Sequence, residues 1–338
     1  MAISQQEANA DFFRRSREEW DAMGGHPEVR SLVGRPPPPR PKRVAEMLAP
    51  AEAPEFDEDP DEFLELGKLD GRTLLAEYEE EMSSYATTPF DQHGERLRLY
   101  PCGVTIWSGF PGAGKTTLLR QLACHLLQRE QGVFVASLEE HPKHLLIRLV
   151  ATAAGTEHPT ASQVQWFIDV FGEKLRIWAK LGMTKHRTIL AVMRKLASIG
   201  FTHAIIDSLM KLDISSQDFE GQRVFANLLA ATAAQTRLHV HLVAHPKKPA
   251  KTDSEPDLND VAGAKEIGGI ADNVLFVRRK EAEFATGPVT GMQICILKQR
   301  HGLGSLGEIT GFFHRDKRQF RFGQWDDPIR YLPEAAYL

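Results

Sequence analysis

GFPGAGKTT, residues 109–117, follows the apolar run VTIW and precedes TTLLRQLACHLLQRE. It satisfies G-x-x-x-x-G-K-[ST] between a predicted strand and a predicted helix, the setting in which this motif folds as a phosphate-binding loop. Gly109, Pro111 and Ala113 belong to the loop, and Gly112 and Gly114 let successive backbone N–H groups wrap phosphate oxygens. The helix that follows adds its positive N-terminal end. Lys115 is expected to reach the β- and γ-phosphates and Thr116 to ligate Mg²⁺, with Thr117 completing the nucleotide-binding set. The motif specifies a nucleotide and leaves open what the nucleotide drives.

Working outward, a bound Mg²⁺ needs a carboxylate at the end of a neighbouring strand, and THAIIDS supplies Asp207 after an apolar run. Hydrolysis needs a group that polarises the attacking water. In FVASLEEHP, Glu139 and Glu140 follow a buried strand; Glu139 is the expected base and Glu140 the fallback. LVAHPKKP ends another core strand with His245, where a polar side chain can touch the γ-phosphate and report its loss. Lys247 and Lys248 then open a polar, glycine-containing stretch, 246–270, that also holds Asn259, Gly263 and Lys265. Backbone amides and lysines on a loop suit phosphate tracking along a single strand without base reading; a plain solvated loop is the other reading of the same residues.

The texture from about residue 95 is α/β. Apolar strands in LRLYPCGVTIWSG, GVFVASLEE, HAIIDSLMKL, LHVHLVAH, NVLFVRR and GMQICILKQR alternate with amphipathic helices in TTLLRQLACHLLQRE, HLLIRLVATAAG, RTILAVMRKLASIG and FANLLAATAAQT. Residues 160–180 read as further helix or loop. Short buried strands alternating with helices predict a mostly parallel sheet with helices on both faces. Near the end, ICILKQRHG (294–302) closes a strand with Lys298 and Arg300 on the same side, because alternate strand residues face alike.

The N-terminal third is different. RPPPPRPKR, 35–43, cannot enter a helix or a central strand and reads as extended linker. Residues 52–65 are acidic and poor in aliphatics, again a solvated linker. GRTLLAEYEEEMSSY, 71–85, carries Leu74, Leu75, Tyr78 and Met82 at helical spacing; it is too short to be stable alone and needs a surface to dock on. The expected organisation is therefore an arm and linker over 1–70, partly disordered, a docking helix over 71–90, and an ATPase domain over 91–338.

The whole-chain charge of −4 conceals an asymmetry: residues 1–99 hold 12 Lys and Arg against 22 Asp and Glu, while 100–338 hold 29 against 23. A mildly basic core permits nucleic-acid binding without establishing it. With 42% hydrophobic and 25% charged residues the composition is that of a globular protein, and no apolar run approaches the ~20 residues that span a bilayer. The N-terminus lacks the basic-then-apolar order of a secretory signal. Three scattered cysteines (Cys102, Cys124, Cys295) form neither a disulfide framework nor a zinc pattern, so a reducing, cytoplasmic setting is expected.

Taken together, GFPGAGKTT, SLEE, HAIIDSL, HLVAHPKKP, DLNDVAGAKEIGGIADNVLFVRR and ILKQRHG occur in the order found in the DnaB-type hexameric replicative helicases, and the chain resembles their Twinkle-like and phage helicase–primase branch over about residues 70–325. RecA-type recombinases share the phosphate loop but not the paired K-x-R ending. The resemblance implies a RecA-like core, assembled as a ring, hexameric in the family, that moves on single-stranded or forked DNA and hydrolyses ATP (or dTTP) with Mg²⁺ between subunits. It makes Lys298 and Arg300 trans-acting fingers for the adjacent subunit's γ-phosphate, and the 71–85 helix a linker that docks on the neighbour. No zinc ribbon or primase-like domain is evident before the core, so primase activity is not expected, and the usual DnaB-type N-terminal helical domain is not evident either. The resemblance implies a phage or bacterial context, with a primase, polymerase or loader as partners for the N-terminal arm. The family's Arg-Gly-rich DNA loop is here Asn259-Asp260-Val261-Ala262-Gly263. Two other uses of the same core stay open at this stage: a recombinase or annealing ATPase, and a regulatory or loader ATPase of phage or plasmid replication.

Overall fold

The computed structural model describes residues 68–91, 96–215, 217–246, 255–261, 267–280, 289–300 and 305–337. The chain divides into Met1–Leu69 and Asp70–Leu338, and every element below belongs to the second unit. Among the described residues no helix is long and apolar enough to cross a membrane.

Helix α1, Gly71–Ser83, starts where the Asp70 carboxylate accepts from the Thr73 N–H and buries none of its residues. It ends earlier than the 71–90 docking element expected from sequence. Tyr85 and Phe90 are buried, and Ala86–Thr87 (β1) pairs with Arg98–Leu99 (β2) in a small antiparallel ribbon, so residues 84–90 pack with the core instead of continuing the helix.

The phosphate-loop strand β3 (Val104–Gly109) leads into α2 (Lys115–Gln128), β4 (Gly132–Ser137), α3 (Pro142–Ala154), α4 (Ala161–Phe171) and the short β5 (Leu175–Ile177). Then come α5 (His186–Ala197), β6 (Phe201–Asp207), α6 (Phe219–Thr236), β7 (His239–Val243), the four-residue α7 (Ile267–Ile270), β8 (Asn273–Arg279), β9 (Val289–Gln299), β10 (Gly307–His314) and β11 (Gln319–Arg321). One nine-stranded sheet runs β11-β10-β9-β8-β3-β7-β6-β4-β5. From β8 to β5 every neighbour is parallel; β8 through β11 is an antiparallel extension.

Each sheet face carries its own core. Leu118, Leu122 and Leu126 of α2, Leu145 and Leu149 of α3, and Phe167 and Phe171 of α4 pack on one face with Trp107, Ile205 and Val243. Ile189, Leu190 and Met193 of α5, and Phe225 and Leu229 of α6, pack on the other with Ile106, Ile206 and Leu242. The alternation along β6 and β7 splits Ile205 from Ile206 and Val243 from Leu242, as the two-residue strand period requires. The two cores fix β3, β4, β6 and β7 in one direction, so all four strands end on the same edge.

Candidate active site

That edge holds a cleft of about 550 Å³ lined by the loop 111–117 and by Glu139, Asp207 and His245. Residues 22 to 134 positions from the loop in sequence meet it here because β3, β4, β6 and β7 are parallel neighbours, and a sheet of this kind opens its crevice at the carboxyl ends of its strands.

The loop's shape depends on glycine. Gly109 has φ +139°, and a Cβ there would run into the Val277 carbonyl of the adjacent strand β8. Gly114, with φ +103°, caps α2, and a Cβ there would lie 2.7 Å from Met292 Cε on β9. Lys115 is buried and donates to the carbonyls of Gly109 at 2.6 Å and Phe110 at 3.1 Å, which holds its ammonium over the loop. Burial lowers its pKa, with Asp207 and Glu139 opposing the shift.

Thr116 Oγ1 donates to Asp207 Oδ2 at 2.6 Å. Burial raises the Asp207 pKa, Thr116 pulls it down, and the Glu139 charge raises it again. A half-buried carboxylate beside a hydroxyl, at the wall of the cleft, fits a hard divalent cation shared with phosphate oxygens and water. No group of three or more His, Cys, Asp or Glu suited to a metal occurs among the described residues, so the protein does not supply a full cage of its own. Thr116 and Asp207 are the residues that would hold Mg²⁺, whose chemistry there is to neutralise charge on the β- and γ-phosphates.

The two glutamates differ. Glu140 is taken up by Arg120 at 2.6 Å and Arg148 at 2.7 Å, whereas Glu139 is exposed to the cleft and accepts from Ser208 Oγ at 3.1 Å. His245 stands half-buried after β7; burial and the Lys115 charge lower its pKa, so it is neutral at pH 7. Pro246 then bridges to Val261, which places the short helical turn Leu258–Asp260, and so the exposed Asn259, next to the end of β7. Lys247, Lys248, Gly263 and Lys265 lie outside the described residues.

Lys298 and Arg300 are not in this cleft. Because β9 runs antiparallel to β8, its far end reaches the opposite edge of the sheet. Lys298 Nζ donates to the carbonyls of Gly268 at 2.8 Å and Gly269 at 3.0 Å, and Arg300 to Gly269 at 2.6 Å. Met292, on the same strand, touches the phosphate loop, and six residues of extended chain separate it from Lys298 by ~20 Å.

Several cleft residues escaped the sequence reading. Arg279, Thr290, Met292, Phe313 and Arg315 come from the antiparallel extension and wall one side of the cleft. Strands 307–314 and 319–321 were not anticipated, although EITGFF has an alternating pattern that would have signalled the first. Ser208 follows Asp207 in THAIIDS, and its role depends on Glu139, which lies across from it.

The model of the DnaB-like helicase C-terminal domain family matches residues 99–322. The chain belongs to that family. The helicase domain is thus an NTP-hydrolysing module of an ATP-dependent replicative DNA helicase, and its RecA-like α/β sheet is the family's fold. Among solved structures it is similar to the ATPase domain of G40p, with a TM-score of 0.61 and 19% identity, over 75% of this chain and 99% of that one. A DnaB-like replicative helicase, described together with its interactions with primase, matches with a TM-score of 0.58 and 18% identity over 75% of this chain and 66% of that one. At these identities the likeness speaks to the fold. No curated protein sequence matches the chain.

Proposed function

We propose that the helicase domain works as a ring, hexameric as is typical of its family, in which ATP or dTTP on one subunit's phosphate loop is hydrolysed with help from the next subunit. The observation that carries this reading is the position of Lys298 and Arg300 at the sheet edge opposite their own cleft, too far along β9 to reach a nucleotide bound there. A cation at the γ-phosphate stabilises charge that develops in the transition state, and supplying it in trans makes turnover depend on assembly.

Within a subunit, Lys115 and the backbone of 109–117 hold the phosphates, and Thr116 and Asp207 hold Mg²⁺. Glu139 accepts the proton of the attacking water. His245, with the bridge from Pro246 to Val261 behind it, relates the state of the γ-phosphate to the loop that contains Asn259. That loop, with Lys247, Lys248, Gly263 and Lys265, tracks the phosphates of single-stranded DNA. Phe313 and Arg279, which also line the cleft, receive the nucleoside end. The segment before the core, 1–70, is the place for a primase, polymerase or loader contact, in a cytoplasmic setting.

Strand separation on forked DNA with Mg²⁺ and ATP, comparing the unaltered chain with Arg300→Ala, tests this. Unwinding by the first and nucleotide binding without unwinding by the second is the expected result. DNA-stimulated hydrolysis with no strand separation, and filaments in place of rings in electron micrographs, would sink the ring-motor reading.

A further inference from the structure

Glu139 emerges from the end of β4 with its side chain exposed, and a base that rotates freely is seldom aimed at a bound water. Two contacts restrain it. Ser137 pairs with Asp207 in the parallel β4–β6 register, and the Leu138 N–H donates to the Asp207 carbonyl at 2.8 Å, so the two chains stay in step one residue past the sheet. This sets Ser208 opposite Glu139, and its hydroxyl donates to Glu139 Oε1 at 3.1 Å. Ser208 is 1% exposed and does not line the nucleotide cleft.

The second contact acts on the backbone. Glu140 is gripped by Arg120 at 2.6 Å and by Arg148 at 2.7 Å. Arg120 lies on α2 one turn beyond Thr116, and Arg148 lies on α3, so one carboxylate ties the residue after Glu139 to the phosphate-loop helix and to the next helix. Arg120 and Glu140 are nearly buried, and a charge pair in such a place holds its geometry because neither member can exchange its partner for water.

We propose that Ser208 and Glu140 are positioning residues for Glu139: the Ser208 hydroxyl fixes the carboxylate rotamer through Oε1 and leaves Oε2 for the water, while Glu140 fixes the backbone from which Glu139 projects. The inference rests on Glu139 being the base. Ser208 does not line the cleft, whereas Glu140 and its two arginines do, so loss of the Ser208 hydroxyl is the change that should lower turnover and spare binding.

The test measures single-turnover ATP hydrolysis, ATP affinity and melting temperature in the full chain. Ser208→Ala should lower the hydrolysis rate about tenfold with ATP affinity within about twofold, and Ser208→Thr, which keeps the hydroxyl, should restore it to within about twofold. Ser208→Cys, near-isosteric but a weak donor, should show the same fall, so the comparison survives a folding defect in the alanine chain. Glu140→Gln should also lower the rate. Glu139→Gln separates the two readings, with an expected loss of about a hundredfold or more. Unaltered turnover in Glu139→Gln overturns the base assignment. An inactive Glu139→Gln beside a fully active Ser208→Ala, or a Ser208→Ala defect that threonine does not rescue, overturns the positioning inference alone.

Discussion

The Thr116 hydroxyl donates to Asp207 Oδ2 at 2.6 Å, joining the first turn of α2 to the end of β6 across 91 residues. The carboxylate is buried and its pKa is raised, first by burial and also by the Glu139 charge. In the window between the ordinary carboxylate value and the raised one, the folded chain holds more protons than the unfolded chain, so stability falls as pH rises through it. At neutral pH the Asp207 charge is therefore a cost to folding, kept for its chemistry. Asp207→Asn should melt no lower than the unaltered chain, while Mg²⁺-dependent hydrolysis falls by about two orders of magnitude or more. Calorimetry beside a hydrolysis assay checks both halves, and a stability loss accompanied by intact turnover contradicts the assignment.

Lys298 and Arg300 donate to the backbone carbonyls of Gly268, Gly269 and Ile270 on the edge away from their own phosphate loop. Arg300→Ala should bind ATP normally and hydrolyse it roughly a thousandfold more slowly. Mixing Arg300→Ala subunits with Lys115→Ala subunits provides the sharper check. Where a finger-deficient subunit's intact phosphate loop adjoins a partner's intact finger, hydrolysis should return. Mixtures that stay as dead as either parent place the fingers in cis.

Helix α1 exposes Leu74, Leu75 and Tyr78 at 47, 57 and 56%, and its Glu81 pairs with Arg237 of the core at 3.5 Å. Apolar side chains this exposed add little to the stability of one subunit, so changing all three to Ser should move the melting temperature of the isolated chain hardly at all. If the helix docks on a neighbour, the same change weakens the assembly, as light scattering across a dilution series would show. Truncation is informative only up to about residue 83, because Tyr85, Phe90, Leu97 and Leu99 are core residues and their removal would unfold the domain.

Three histidines lie buried side by side under one sheet face. His203 Nδ1 and His241 Nε2 are 3.3 Å apart, Trp107 Nε1 donates to His241 Nδ1 at 3.3 Å, and His239 bonds the Tyr100 carbonyl at 2.6 Å. The indole N–H has only one role, so His241 Nδ1 must accept, and His241 Nε2–H then donates to His203. Burial holds all three pKa values low, that of His239 at about 4. With the folded value below the unfolded one, the native chain binds fewer protons, and stability is lost as pH falls through 6.5 toward 4. His239 alone accounts for about 3 kcal/mol over that window. Melting temperatures measured from pH 7.5 to 4.5 should fall steeply below 6.5, and a flat profile would contradict the buried, neutral assignment.

The sequence by itself determined the nucleotide chemistry and the class of fold. GFPGAGKTT between a strand and a helix, the apolar strands ending in Asp207, Glu139 and His245, and the K-x-R ending are local patterns, and local patterns are set by nearest-neighbour geometry that a linear reading can follow. The tertiary structure decided what depends on register and strand direction. The β4–β6 register sets Ser208 against Glu139, and Glu140's two arginines leave Glu139 facing the cleft. The reversal of β9 carries Lys298 to the far edge while Met292 stays beside the phosphate loop. The edge strands β5 and β11 and the core role of residues 84–90 also came from packing, because three-residue strands owe their conformation to the partner they pair with and carry too few residues to declare it alone.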